Sequence, residues 1–297
     1  MVVPALLYFA VNAGGVGADG WAIPMATDIA FAVGVLAILG SRVPPRLKLF
    51  VLTLAIVDDI GAIVVIALFY SGGIDLAWLA GAALTVGAVL LMARLGADRA
   101  LFYVLPALVL WLCLFESGVE ATLAGVILGL ATPAHPRGGR AVLEQLEHAL
   151  HPVSSFVVVP LFALANAGVV LTADSIDAAS RSRITIGIVV GLVVGKFLGI
   201  LGATTVGVRS RIGRLPDGIR MPHIAGVAAL GGIGFTVALF VSDLTFRGSR
   251  LDDAKLGVLG ASTLAAVIGV IVLLFVLRDT ERSPVAAGSP PLSEESP

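Results

Sequence analysis

Residues 47–70 read LKLFVLTLAIVDDIGAIVVIALFY, an apolar run interrupted at its centre by two adjacent aspartates, Asp58 and Asp59. A helix that crosses a bilayer needs about 20 consecutive, mainly apolar residues, and this run is long enough. Further apolar runs cover residues 18–39, 76–92, 100–115, 119–131, 150–171, 184–208, 223–241 and 256–277, and most of the charge lies in the short segments between them. Transmembrane barrels instead show alternating strands of about ten residues. The pattern predicts an all-α polytopic bundle, with 119–131 short for a full span.

The whole chain agrees. Of 297 residues, 58% are apolar and 13% charged, against about 25% charged in an ordinary soluble domain, and the mean hydropathy is +1.03. That balance excludes a soluble enzyme and a disordered protein, and a net charge of −1 offers no footprint for nucleic acid. A single cysteine, Cys113, excludes an intrachain disulfide. Residues 1–278 are expected to form one transmembrane domain. Residues 279–297, rich in Ser, Pro and Glu, are expected to be a disordered tail. The chain opens as MVVPALLYFAV without the basic region of a signal peptide, and this stretch reads as the second half of a helix.

Assigning loops alternately to two sides places Arg42, Arg46, Lys48, Arg94, Arg99, Arg137, Arg140, Arg209, Arg211, Arg214, Arg220, Arg278 and Arg282 on one side. Arg181, Arg183, Arg247, Arg250 and Lys255 fall on the other, and Lys196 stays within a span. The positive-inside rule makes the first side, and with it the C-terminus, cytoplasmic, in a cell (plasma or inner) membrane.

Residues 29–33 (IAFAV) and 233–237 (IGFTV) share a pattern on helices expected to run in opposite directions. Pro24 and the pair Thr27–Asp28 precede the first, and Gly231 and Gly232 precede the second. Broken helices at matching places in two opposed halves mark a binding site near the midplane; small residues also serve plain helix packing.

Asp28, Asp58, Asp59 and Lys196 lie deep within the expected spans, where each charge costs about 2.5–3.5 kcal/mol on insertion scales. One cation cannot neutralise three carboxylates, so at least one carboxylate needs a proton or a metal ion. Neighbours on a helix point about 100° apart, so one of Asp58 and Asp59 can reach Lys196 while the other faces an ion. Na⁺ or Li⁺ finds oxygen ligands in the carboxylates, the Thr27 hydroxyl and unwound carbonyls. Proton and cation then compete for the same oxygens, and close carboxylates release protons in coupled steps. The run from Gly191 to Phe197 lacks the spacing and the Ser/Thr of a phosphate loop, which argues against an ATP-driven pump. His148 and His151 beside Glu144 and Glu147 read as a solvated helix start, with metal binding or pH sensing as the other readings.

Taken together, residues 20–70, LEHALHPVSSFVVVPLFALANAGV (146–169), GLVVGKFLGI (191–200) and GGIGFTVALF (231–240) resemble the NhaA-type Na⁺/H⁺ antiporters, over residues 1 to about 277. The resemblance implies a bundle with inverted repeats and two crossing, discontinuous helices. It also implies a secondary transporter, not an enzyme: export of Na⁺ or Li⁺ against proton uptake, more than one proton per cation, for pH and sodium homeostasis. No cofactor is implied beyond the transported ions, and the partners implied are the lipid bilayer and a second copy in a homodimer. By the same resemblance Asp59 is the main cation-binding carboxylate, and Asp58 pairs with Lys196 and exchanges protons. Thr27 and Asp28 stand at the first helix break, and Glu147 and His151 lie in a pH-responsive cytoplasmic region. The chain departs from the pattern in beginning about two and a half helices later. It also carries Glu116 and Glu120 where basic residues or a pH-linked histidine are usual. A truncated, inactive relative is therefore an alternative. An intramembrane aspartyl protease is a further one, though the sequence has no GxGD motif.

Overall fold

The computed structural model of the chain describes residues 1–70, 75–134, 141–166, 168–169 and 172–282. Among these the secondary structure is entirely helical. Helix α1 (Val2–Asn12) leads into a 3₁₀ segment, Ala18–Met25, and then α2 (Ile29–Ile38). There follow α3 (Pro45–Phe69), α4 (Leu76–Arg94), α5 (Leu101–Glu116) and α6 (Leu123–Ala131). Helix α7 (Val142–Val153) continues through a π turn at Ser154–Val158 into α8 (Val159–Asn166). After α9 (Ala173–Arg181), α10 (Arg183–Val189) passes through a second π turn, Val190–Gly195, into α11 (Lys196–Arg209). The chain proceeds through α12 (Met221–Leu230) and α13 (Phe235–Thr245) to α14 (Ser249–Arg282).

Among the described residues, five helical stretches are long and apolar enough to cross a membrane: Pro45–Phe69, Leu76–Arg94, Val142–Asn166, Arg183–Arg209 and Ser249–Arg278. Two bent pairs are long and apolar enough when each is taken together: Ala18–Met25 with Ile29–Ile38, bent by 40°, and Met221–Leu230 with Phe235–Thr245, bent by 42°. These are the two interruptions expected from Pro24/Thr27–Asp28 and from Gly231–Gly232. The run at 119–131 forms a helix only over Leu123–Ala131. Helix α14 extends to Arg282; residues 283–297 of the expected tail, and Arg137 and Arg140 of the charge count, lie outside the described residues.

Helix α3 shows why such a sequence suits lipid. Leu47, Val51, Ala55, Asp58, Ala62 and Ile66 recur every three or four residues and are buried, while Leu52, Ile56, Val57, Ile60, Val64 and Leu68 face outward. One face thus packs on protein and the other presents branched aliphatics to hydrocarbon.

Two apolar cores hold the crossing helices. Tyr8, Ile23, Ile188, Leu192, Leu239 and Val258 join α1, the 3₁₀ segment, α10, α13 and α14. Leu36, Leu47, Val51, Ile224, Leu230 and Leu273 join α2, α3, α12 and α14. Close approach needs missing side chains: a Cβ on Gly195 would sit 2.6 Å from Pro4 Cα, and one on Gly191 would sit 2.8 Å from Pro24 Cβ. A separate small core of Ala82, Leu110, Cys113, Leu114 and Ala124 unites α4, α5 and α6.

Candidate functional site: the crossing of two broken helices

The chain is extended between the 3₁₀ segment and α2, which leaves the Asp28 amide without a helical partner. The second break, residues 231–234, supplies one. The Asp28 amide donates to the Ile233 carbonyl at 2.6 Å. The Thr27 hydroxyl lies 2.9 Å from the Gly231 carbonyl and 3.1 Å from Asp58 Oδ2. With one proton it donates to one of these while accepting from Lys196 Nζ at 3.0 Å. The two breaks are therefore one polar knot, tied across more than two hundred residues.

Asp28 is the N-cap of α2, its Oδ1 accepting from the Phe31 amide at 3.0 Å. Its Oδ2 accepts from the amide and the hydroxyl of Thr236, at 2.9 and 2.7 Å, in the first turn of α13. Helix N-termini carry partial positive charge, so this one carboxylate neutralises two of them. Asp28 is buried, and its charge is compensated by dipoles.

Lys196 opens α11 immediately after the π turn, a feature often found where a helix is locally widened for function. It is buried, and its ammonium forms an ion pair and hydrogen bond with Asp58 Oδ2. The structure thus joins Asp58 of α3, Thr27 of the first break and Lys196 in one cluster. Met1 lies beside it, its amino group 4.0 Å from Asp58 Oδ1.

Asp59 differs from both. It lies within electrostatic reach of Asp28, Asp58 and Lys196, yet its Oδ1 is buried without any hydrogen-bond partner. A buried charged oxygen without a partner is costly. Among the described residues no three His, Cys, Asp or Glu side chains converge as a metal cage. A cation at this place would lean on hydroxyl and carbonyl oxygens beside the aspartates.

Gly231 contributes its carbonyl to Thr27, while Gly232 permits packing: a Cβ there would meet the Leu192 carbonyl at 2.5 Å and Ala265 Cβ at 2.9 Å. Glu147, His151 and Glu120 belong to another part of the molecule. Glu147 borders an apolar cavity of about 610 Å³ with Tyr103, Leu128, Thr132 and Leu146, and it is exposed, as is His151. Glu120 is half-buried in the turn before α6.

Two residues of the knot were not singled out from sequence. Thr236 was visible only as a letter in IGFTV. Ser262, on α14, accepts from the Gly234 amide at 3.3 Å, and in sequence it is one serine in an apolar run. Each has a weak signal in retrospect: a hydroxyl just after a glycine-marked break, and a buried polar residue facing it.

Two broken helices whose breaks meet beside carboxylates and a lysine resemble the discontinuous helices of secondary transporters. The profile of the Na⁺/H⁺ antiporter 1 family matches residues 1–273. The chain is 46% identical over 297 residues to Na⁺/H⁺ antiporter NhaA 1 of Erythrobacter litoralis, covering 98% of this chain and 72% of that protein. It is 48% identical over 277 residues to Na⁺/H⁺ antiporter NhaA 2 of Novosphingobium aromaticivorans, covering 92% and 70%. With NhaA 1 of Pseudomonas putida the identity is 47% over 285 residues, covering 94% and 72%. The chain belongs to the Na⁺/H⁺ antiporter family and is a multi-pass membrane protein.

Proposed function

We propose that the protein exchanges cytoplasmic Na⁺ or Li⁺ for external protons, as a secondary transporter without a cofactor. The family match across the chain supports this, and one structural observation carries it: the buried, unpartnered Oδ1 of Asp59. Asp58 pairs with Lys196, Asp28 caps two helices, and Asp59 lies within electrostatic reach of all three. Helix dipoles compensate Asp28, and Lys196 compensates Asp58. Asp59 is left over, and in a low-dielectric site it holds either a proton or a cation.

The mechanism follows from that remainder. On the cytoplasmic side, Na⁺ displaces the proton of Asp59 and gathers oxygens from Asp58, the Thr27 hydroxyl and the carbonyls of the breaks. Approach of a cation weakens the hold of Lys196 on Asp58, so the pair can enter the proton exchange. Rearrangement of the crossing helices opens the site to the other side, where external protons return to the carboxylates. Because both ions use the same oxygens, neither is carried together with the other.

In this reading residues 1–278 form the transport domain, the C-terminal end is cytoplasmic by the positive-inside rule, and the membrane is the bacterial inner membrane. Glu147, His151 and Glu120, away from the crossing, serve pH response. In the same reading the protein works as a homodimer. The test is Asp59→Asn in everted vesicles of cells lacking their own antiporters. Addition of Na⁺ should release the quenching of a pH-sensitive dye with the wild type and leave it unchanged with the variant. Wild-type-like release by the variant would remove Asp59 from the mechanism.

A further inference from the structure

The N-terminus of α13 is held from two directions. The Thr236 amide and hydroxyl both donate to Asp28 Oδ2, at 2.9 and 2.7 Å. The Gly234 amide donates to Ser262 Oγ of α14 at 3.3 Å. These donors stand at the start of a helix, which has no internal acceptors for them. Ser262 stands among Val258, Ala261 and Ala265, all buried. Gly234 satisfies itself on a neutral hydroxyl and so makes no demand on Asp28. The carboxylate is left to Phe31 and Thr236 alone.

We propose that Thr236 and Ser262 are positioning residues for cation selection: together they fix the second helix break against Asp28 and so hold the oxygens that a cation must share. This rests on the antiporter reading above. Neither side chain needs to touch the ion. The reason the effect is selective lies in coordination. A proton occupies one carboxylate oxygen, whereas Na⁺ or Li⁺ needs several oxygens at once, some of them from unwound backbone. Loosening the break therefore penalises the cation and spares the proton. The charged groups at this place are Asp28, Asp58, Asp59, Lys196 and the Met1 amino group; the substitutions replace none of them, and Thr236→Val takes one hydrogen bond from Asp28 while the Thr236 amide keeps the other.

The experiment compares wild type, Thr236→Val, Thr236→Ser, Ser262→Ala and Ser262→Thr in everted vesicles, titrating Na⁺ and Li⁺ at a series of pH values. Thr236→Val and Ser262→Ala should raise the apparent KM roughly 5- to 10-fold with the maximum rate within about twofold, the pattern of lost binding geometry. Because proton and cation compete, activity at fixed subsaturating Na⁺ should begin at a more alkaline pH, by up to about one unit for a tenfold loss. The hydroxyl-retaining Thr236→Ser and Ser262→Thr should return both readouts towards wild type. Should Thr236→Val fail to insert, Thr236→Ala removes the same hydroxyl without setting an apolar methyl against Asp28 and is read in its place. Unchanged KM and pH profile in an active background would overturn the inference alone. So would a loss confined to maximum rate or protein yield, which marks a merely structural role. A wild type that moves no protons in response to Na⁺ would bring down the antiporter reading and the inference with it.

Discussion

The crossing of the broken helices and the α4–α6 bundle bury hydroxyls in opposite ways. In the bundle, Ser117 donates to Leu114 O and Thr132 to Leu128 O, at 2.8 and 2.7 Å, and Thr85 donates to Gly81 O. Each bonds three or four residues back on its own helix. At the crossing, Thr27, Thr236 and Ser262 bond to residues 204, 208 and 28 positions away. A hydroxyl that bonds back to its own helix is satisfied wherever the helix goes. One that bonds to another break fixes a relation between two elements. The charges follow the same division: Asp28, Asp58 and Lys196 are buried at the crossing, whereas Ala82, Leu110, Cys113, Leu114 and Ala124 make the bundle core wholly apolar.

The sharpest way to break this contrast is Lys196→Ala. Removing one partner of a buried ion pair leaves the other uncompensated, and the expected loss is about 3–5 kcal/mol with exchange abolished. Thermal unfolding in detergent measures it, and Asp58→Asn/Lys196→Gln should recover part of the stability. Strict additivity in that cycle would show that the two residues do not act as a pair. A smaller effect is expected from Gly195→Ala, whose new methyl meets Pro4 beside Lys196. Overpacking of this kind costs about 1–3 kcal/mol, and exchange should slow as the lysine shifts. The least effect belongs to the bundle: Thr132→Val removes a hydroxyl bonded within its own helix and should cost less than about 1 kcal/mol. Its KM for Na⁺ and its pH profile should match wild type. A marked KM change in Thr132→Val would erase the distinction between the two regions.

Much of the crossing could be read from residue types, because charges in an apolar run have few explanations. Asp28, Asp58, Asp59 and Lys196 stood out by cost alone, and Pro24 with Gly231–Gly232 marked the places where helices fail. Thr236 and Ser262 could not be found that way. Hydroxyls are common in membrane helices, and nothing local distinguishes Ser262 from Thr132. Their difference is the partner, which only the tertiary arrangement supplies. The π turns at 154–158 and 190–195 were equally hidden, since VVGLVVGK also suits a plain α-helix. The helix at Ala173–Arg181 is too polar to show as an apolar run, although its capping box, Thr172 with Ser175, is legible. Helix α7 starts at Val142 rather than 150 because its first turns are amphipathic and fail an apolar-run criterion.

The double role of Asp28 also bears on how the chain is made. Its partner Thr236 lies 208 residues downstream, and the lysine that answers Asp58 lies 138 residues after it. Synthesis proceeds at about 5–20 residues per second, so the nascent N-terminal half spends many seconds holding three acidic groups without their partners. During that interval these segments need water, protons or the insertion machinery around them. The site is thus born late, when α13 emerges, and the order of translation sets the order of assembly: carboxylates first, ammonium next, the second break last. A ribosome stalled before residue 236 would leave the first half inserted with Asp28 bound to α2 alone.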